Sequence, residues 1–228
     1  MSTQTPAKIR AIITGATGMV GEGVLLECLD DPQVESVLII NRRDSGFSHP
    51  KLTEIVHKDF YDFSSIEDRL HGYNACFFCL GVSVIGMTEQ DYYKMTHELT
   101  LHVAQTLSRV DQQMTFCYVS GAGTDSTEKG RVMWARIKGK TENDLLKVPF
   151  KGVCAFRPGL MKATKGQKNT LTAYKYLGWL FPLFKLISPK KVCTLKEVGQ
   201  AMINISLYGY GKPIIEVADI LLLAHRQK

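Results

Sequence analysis

A doubly wound parallel α/β sheet is the fold class this sequence predicts, and three observations predict it. Short runs of β-branched and apolar residues alternate with longer segments of helical periodicity along the chain. A glycine-rich turn follows the first of those runs directly and opens the first helical segment. The 228 residues, 45% of them hydrophobic, suit one α/β domain, and no internal repeat or low-complexity stretch divides them. Strands covered on both faces read as near-continuous apolar runs, which is the pattern here.

Taken in order, the first strand is expected over 9–14 and the second over 36–40. Between them, 21–29 carries apolar residues at helical spacing and stops before Asp30-Asp31-Pro32, because proline cannot continue a helix. A third strand is expected over 53–57 and a fourth over 74–80, followed by a helix over 89–107. The fifth strand is read over 114–119, a long helix over 131–146 and the sixth strand over 152–156. A helix over 194–207 and a last strand over 213–217 complete the pattern. Right-handed crossovers wind this order into one sheet, with a ligand crevice at the carboxyl ends of strands one and four. The chain is thus read as one domain over 1–228, with 160–210 as a small carboxy-terminal lid or interface region.

The net charge is +6, but lysines and arginines are scattered and form no run of five or more. That argues against nucleic acid as a partner and leaves a mild attraction for a phosphorylated ligand. The six cysteines lie in apolar runs with no signal peptide ahead of them, so a reducing cytoplasm is the expected location. Cys76 and Cys79 form a C-x-x-C inside one apolar run, where an odd spacing sends the two thiols to opposite faces of a strand. No H-E-x-x-H and no second cysteine pair is present, and no metal is expected. The apolar segment 176–187 is shorter than the roughly 20 residues that span a bilayer and contains Pro182. It reads as a surface-lying helix, a cover over a ligand or a contact in a homo-oligomer.

The sharpest motif is Gly15-Ala16-Thr17-Gly18-Met19-Val20-Gly21, set between a strand and a helix in a strand–helix–strand unit. Gly15 permits the tight turn, Gly18 lets backbone approach a pyrophosphate and Gly21 lets the helix pack on the strand. The amides of Met19 and Val20 then meet phosphate charge at the helix start. These residues define a Rossmann fold that holds a nicotinamide dinucleotide. At the end of strand two, where an acid would hold the ribose hydroxyls of NAD, the chain has Asn41-Arg42-Arg43. A guanidinium there suits a 2′-phosphate, so NADP(H) is preferred over NAD(H).

Further short motifs follow the later strands: Asp59-Phe60, Cys79-Leu80-Gly81-Val82, Val119-Ser120-Gly121-Ala122 and Arg157-Pro158-Gly159. With the glycine turn, they make the chain resemble the atypical and extended short-chain dehydrogenase/reductase superfamily. The similarity lies close to its Tat-interacting-protein-like and NAD-dependent epimerase/dehydratase-like families and covers nearly the whole chain. It implies that Asp59 and Phe60 border the adenine and that Gly81, beside Leu80, lines the ribose side. The carboxy-terminal substrate region of the larger epimerases is much shortened, which speaks against a nucleotide-sugar substrate.

The superfamily works with a serine and a Tyr-x-x-x-Lys, in which the tyrosine is acid or base and the lysine lowers its pKa and holds the nicotinamide ribose. By resemblance the serine is Ser120 and the lysine Lys138, but Trp134 stands in the tyrosine position. Residues four apart share a helix face, so the alignment is coherent. An indole N–H donates a hydrogen bond and does not ionise usefully. Three explanations stay open: a proton from Tyr118, Tyr92, Tyr93 or Asp125; a water held by Ser120; or dinucleotide binding without turnover, as a regulator. Tyr118 reads as core, and Arg157 as satisfying local carbonyls. The leading expectation is an NADP(H)-dependent oxidoreductase acting on a small carbonyl or alcohol.

Overall fold

The computed structural model describes residues 7–170, 181, 186, 188 and 191–226. Strand β1 (Ile9–Thr14) runs into the glycine turn and helix α1 (Met19–Asp30), and β2 (Val34–Asn41) and β3 (Leu52–Val56) follow. Next come β4 (Ala75–Phe78), α2 (Glu89–Tyr93), a single π-helical turn (Lys94–Glu98) and α3 (Leu99–Val110). Then follow β5 (Thr115–Val119), α4 (Met133–Leu145), β6 (Gly152–Arg157), β7 (Leu160–Lys162) and β8 (Val192–Thr194). Helix α5 (Leu195–Tyr208), β9 (Ile214–Glu216) and α6 (Val217–Ala224) close the described chain.

Seven strands pair in the order β3-β2-β1-β4-β5-β6-β9, every pair parallel. This is the doubly wound single domain the alternating pattern predicts. Strand order reverses between β1 and β4, so their carboxyl ends open the crevice. Alternation along the strands splits the core: Ile13 and Phe77 face α1 and α5, whereas Ile12 and Phe78 face α3 and α4. Cys76 lies in the second of these layers and Cys79 packs against the first, and both are free thiols.

Some elements differ from their expected form. The helix expected over 89–107 is interrupted by the π turn, where one extra residue shifts the register without breaking the apolar stripe. Strand four ends at Phe78, because Cys79 and Leu80 leave the sheet. The β7–β8 pair and α6 were not expected. Three-residue strands are too short to show a period, and Val217–Ala224 is apolar nearly throughout. Within 160–210, α5 packs on α1 and α6, held at its start by a capping box between Thr194 and Glu197. Most of the apolar segment 176–187 lies outside the described residues. No helix among the described residues is long and apolar enough to cross a membrane.

Candidate active site

The glycine turn is fixed by backbone contact. Gly15 sits at φ +73°, and a Cβ there would stand 2.8 Å from the backbone of Cys79 and Leu80. A Cβ on Gly21 would lie 2.1 Å from the Gly15 carbonyl oxygen, whereas one on Gly18 would find that oxygen at 3.3 Å. Gly15 and Gly21 are therefore demanded by the protein itself, and Gly18 only mildly so. The Gly18 N–H donates to the Gly15 carbonyl at 2.9 Å, and the first helical bond runs from Glu22 N to Gly18 O. The amides of Met19, Val20 and Gly21 stand at the open helix start, the positive end of its dipole.

A cavity of about 430 Å³ adjoins this turn, lined by Gly15, Thr17, Asn41, Arg42, Arg43, Phe60 and Leu80 among others. Arg42 and Arg43 are exposed, and neither has a carboxylate partner among the described residues. The buried Asn41 donates to Glu54 Oε1 at 2.9 Å, and its own Oδ1 is buried without a partner. Glu54 also binds the Ser45 amide at 3.0 Å and the Ser45 hydroxyl at 2.8 Å, so its charge is spent on the loop after β2. Asp59 is exposed and accepts from the Tyr61 amide at 2.9 Å; it is not among the residues lining this cavity, whereas the buried Phe60 is.

Leu80 also lines a second, larger cavity of about 1050 Å³, shared with Gly81, Met19, Val20, Ser120 and Lys138. The structure thus brings the predicted serine and lysine together. Lys138 Nζ donates to the Ser120 carbonyl oxygen at 3.0 Å and lies 5.7 Å from the centre of the Tyr118 ring. Burial pushes the Lys138 ammonium down to about 8, against the pull of Glu142 one turn along. Ser120 Oγ is 3.0 Å from Thr124 Oγ1, and the Thr124 hydroxyl donates to the Gly121 carbonyl at 2.8 Å. Thr124 has one proton to give, so Ser120 is the donor of that pair and its lone pairs remain open.

Trp134 is half-buried beside Gly123 and is not among the residues that line the large cavity. Nor are the alternative proton sources. Tyr118 is 2% exposed, and burial holds its phenol well above the usual range. Tyr92 is buried, Tyr93 stacks on His97 with ring centres 4.6 Å apart, and Asp125 is occupied by the amides of Thr127 and Gly130. Burial likewise raises the Cys79 thiol, to about 12.

Three features escaped the sequence reading. Gly139 lets α4 approach the 125 loop so closely that a Cβ would meet the Asp125 carbonyl oxygen at 1.8 Å, which sets the height at which Lys138 enters the cavity. Arg157 does not satisfy local carbonyls as expected. It pairs with the fully buried Glu142, with Glu216 at 3.2 Å and with the Ser126 hydroxyl at 2.6 Å, because carboxylates 15 and 59 residues away fold onto it. Glu22, in the first turn of α1, is fully buried and accepts the amides of Lys168 and Asn169, each at 2.6 Å, while the Gln167 side chain donates to the Met19 carbonyl. Only Gly139 leaves a trace in the sequence, as a glycine inside a helical pattern. Among the described residues, no three His, Cys, Asp or Glu side chains gather as a metal site.

Residues 11–129 match the model of the NAD dependent epimerase/dehydratase family. Among curated proteins, "Protein FMP52, mitochondrial" of Saccharomyces cerevisiae is 29% identical over 155 residues, covering 66% of this chain and 65% of that one. "Protein fmp52, mitochondrial" of Emericella nidulans is 27% identical over 207 residues, 86% of each chain. Among solved structures, a UDP-N-acetylglucosamine 4-epimerase from Methanobrevibacter ruminantium in complex with UDP-N-acetylmuramic acid superposes with a TM-score of 0.65 at 15% identity, covering 91% of this chain and 76% of that one. The Bordetella bronchiseptica enzyme WbmF in complex with NAD+ gives a TM-score of 0.64 at 13% identity, with 96% and 78% covered. These names correct the expected cytoplasmic location, since the curated relatives are named as mitochondrial. Free buried thiols argue only for a reducing environment, which does not single out the cytosol.

Proposed function

The chain belongs to the NAD dependent epimerase/dehydratase family, and from that membership we propose that it binds NADP(H) and interconverts small, largely apolar carbonyl compounds and their alcohols. One observation carries the reading: Leu80 lines both the cavity beside the glycine turn and the cavity that holds Ser120 and Lys138. A dinucleotide laid over Leu80 from Gly15 would meet Arg42 and Arg43 at one end and Ser120 and Lys138 at the other. Gly15, Thr17, Gly18, Met19, Val20 and Gly21 would hold the diphosphate, with Asn41, Phe60, Leu80 and Gly81 along the nucleoside faces. Arg42 and Arg43, without a carboxylate partner among the described residues, and an engaged Glu54 favour the 2′-phosphorylated coenzyme. When bound in reduced form, the coenzyme supplies a hydride to a carbonyl carbon and is itself oxidised, which leaves the carbonyl oxygen in need of one proton. Leu160, Met161 and Val217 on the cavity wall suit an apolar substrate body. A mitochondrial location is part of the proposal, taken from the names of the relatives.

Fluorescence titration tests the coenzyme. Wild-type protein is expected to bind NADPH more tightly than NADH, and Arg42→Ala with Arg43→Ala to weaken NADPH about tenfold while leaving NADH unchanged. No binding of either nucleotide overturns the reading. Following NADPH absorbance with aldehydes, ketones and quinones then tests turnover. Binding without turnover would favour the second reading, a silent dinucleotide-binding regulator, which Trp134 in the tyrosine position supports.

A further inference from the structure

Resting on that oxidoreductase reading, we infer that Lys138 is itself the proton donor and acceptor of the site, replacing the missing tyrosine rather than assisting one. The geometry leaves it alone in that position. Of its three N–H donors, one is taken by the Ser120 carbonyl, and the others have no protein acceptor among the described residues. The ionisable groups that share its cavity are otherwise committed or unsuitable. Glu216 is paired with Arg157 and caps α6, the half-buried Cys79 thiol holds its proton, and Lys191 is an exposed lysine at the rim.

The groups facing the amine decide its chemistry. From β5 the Tyr118 ring lies against Nζ, itself buried and un-ionised. From its own helix Glu142 exerts an attraction, but Glu142 is neutralised by Arg157 from β6. Burial therefore prevails and brings the ammonium to about 8, close to the working pH at which an acid–base group is most effective. In reduction, an Nζ–H bond breaks and an O–H bond forms on the carbonyl oxygen as the carbon takes its hydride. Nζ is left as a neutral amine and is reprotonated from water. In oxidation, the neutral amine takes the alcohol proton. The Ser120 hydroxyl donates its proton to the hydrogen bond with Thr124, so toward the substrate it acts only as an acceptor, for the O–H of the alcohol form.

The first test needs no turnover. NMR titration of the full-length protein with isotope-labelled lysine should show one amine with a midpoint near 8, absent from the spectrum of Lys138→Arg. In turnover, kcat for carbonyl reduction by NADPH should fall above pH 8 with unit slope, since the protonated amine is the active form. Lys138→Arg keeps the charge but cannot release a proton, so it should lose roughly 10²- to 10⁴-fold in kcat with NADPH binding retained, and the limb near pH 8 should vanish. Small primary amines should restore part of the rate to Lys138→Ala. A Lys138 midpoint near the ordinary 10.4, or a limb near pH 8 that survives Lys138→Arg, overturns the inference and leaves the oxidoreductase reading standing. A protein that binds NADPH and reduces no carbonyl at any pH overturns both.

Discussion

At the start of α1 the chain meets itself backbone to backbone, with Gly21 facing the Gly15 carbonyl and no charged side chain in the contact. Around α4, by contrast, charged side chains meet: Arg157 pairs with the buried Glu142, and burial lowers the Lys138 ammonium against the attraction of Glu142. The first region is shaped by excluded volume and would bind through main-chain amides, so Gly15 and Gly21 tolerate no added atom. The second is governed by desolvation and pairing, so its chemistry depends on which partners surround each ionisable group. A turn that only binds can be built from glycine, whereas a site that moves protons needs groups whose ionisation the fold has altered.

Arg157 is where charge pairing should matter most. Arg157→Ala leaves the carboxylate of Glu142, itself fully buried, without its cation, and should cost about 3–5 kcal/mol in urea unfolding. A loss below about 1 kcal/mol would mean that charge does not govern the α4 region. Gly21→Ala should cost about 1–3 kcal/mol by overpacking against the Gly15 carbonyl and should abolish NADPH binding. Binding at wild-type strength would show that the turn yields easily. The smallest effect has the opposite sign. The unfolded chain holds the Lys138 proton up to about 10.4 and the folded chain only to about 8, so stability contributed by this group rises with pH across that window. Lys138→Met should therefore stabilise the fold at pH 7, by about 1 kcal/mol, and flatten the rise between pH 8 and 10. An unchanged rise would assign it to another group.

The same contrast explains what could be read from the sequence. The strand–helix alternation and the need for Gly21 are local, because Gly21 meets Gly15 six residues back. Gly15, by contrast, was legible through the glycine motif although the backbone it meets belongs to Cys79 and Leu80. Ser120 and Lys138 were found by resemblance, and in the structure Lys138 Nζ meets the Ser120 carbonyl. The partners of Arg157 were not legible, since a buried ion pair carries no local pattern when its members lie on β6, α4 and β9. The Tyr61 amide as a partner of Asp59 was likewise not legible, since it is set by a turn whose shape the sequence does not display. The π turn was hidden because one extra residue leaves the apolar stripe nearly intact.

A carboxylate sealed into the first turn of α1 means that the electropositive end of this helix already serves one anion before any diphosphate arrives. Glu22 tolerates that setting because two amides from 168 and 169 hold it. Were a diphosphate to bind at this helix start as proposed, whatever draws those amides away would leave an unquenched negative charge beside it and weaken its binding. Linkage is mutual, so nucleotide occupancy would shift the docking of 167–169 by the same factor. Two stretches nearly 150 residues apart in sequence thereby share one electrostatic reservoir.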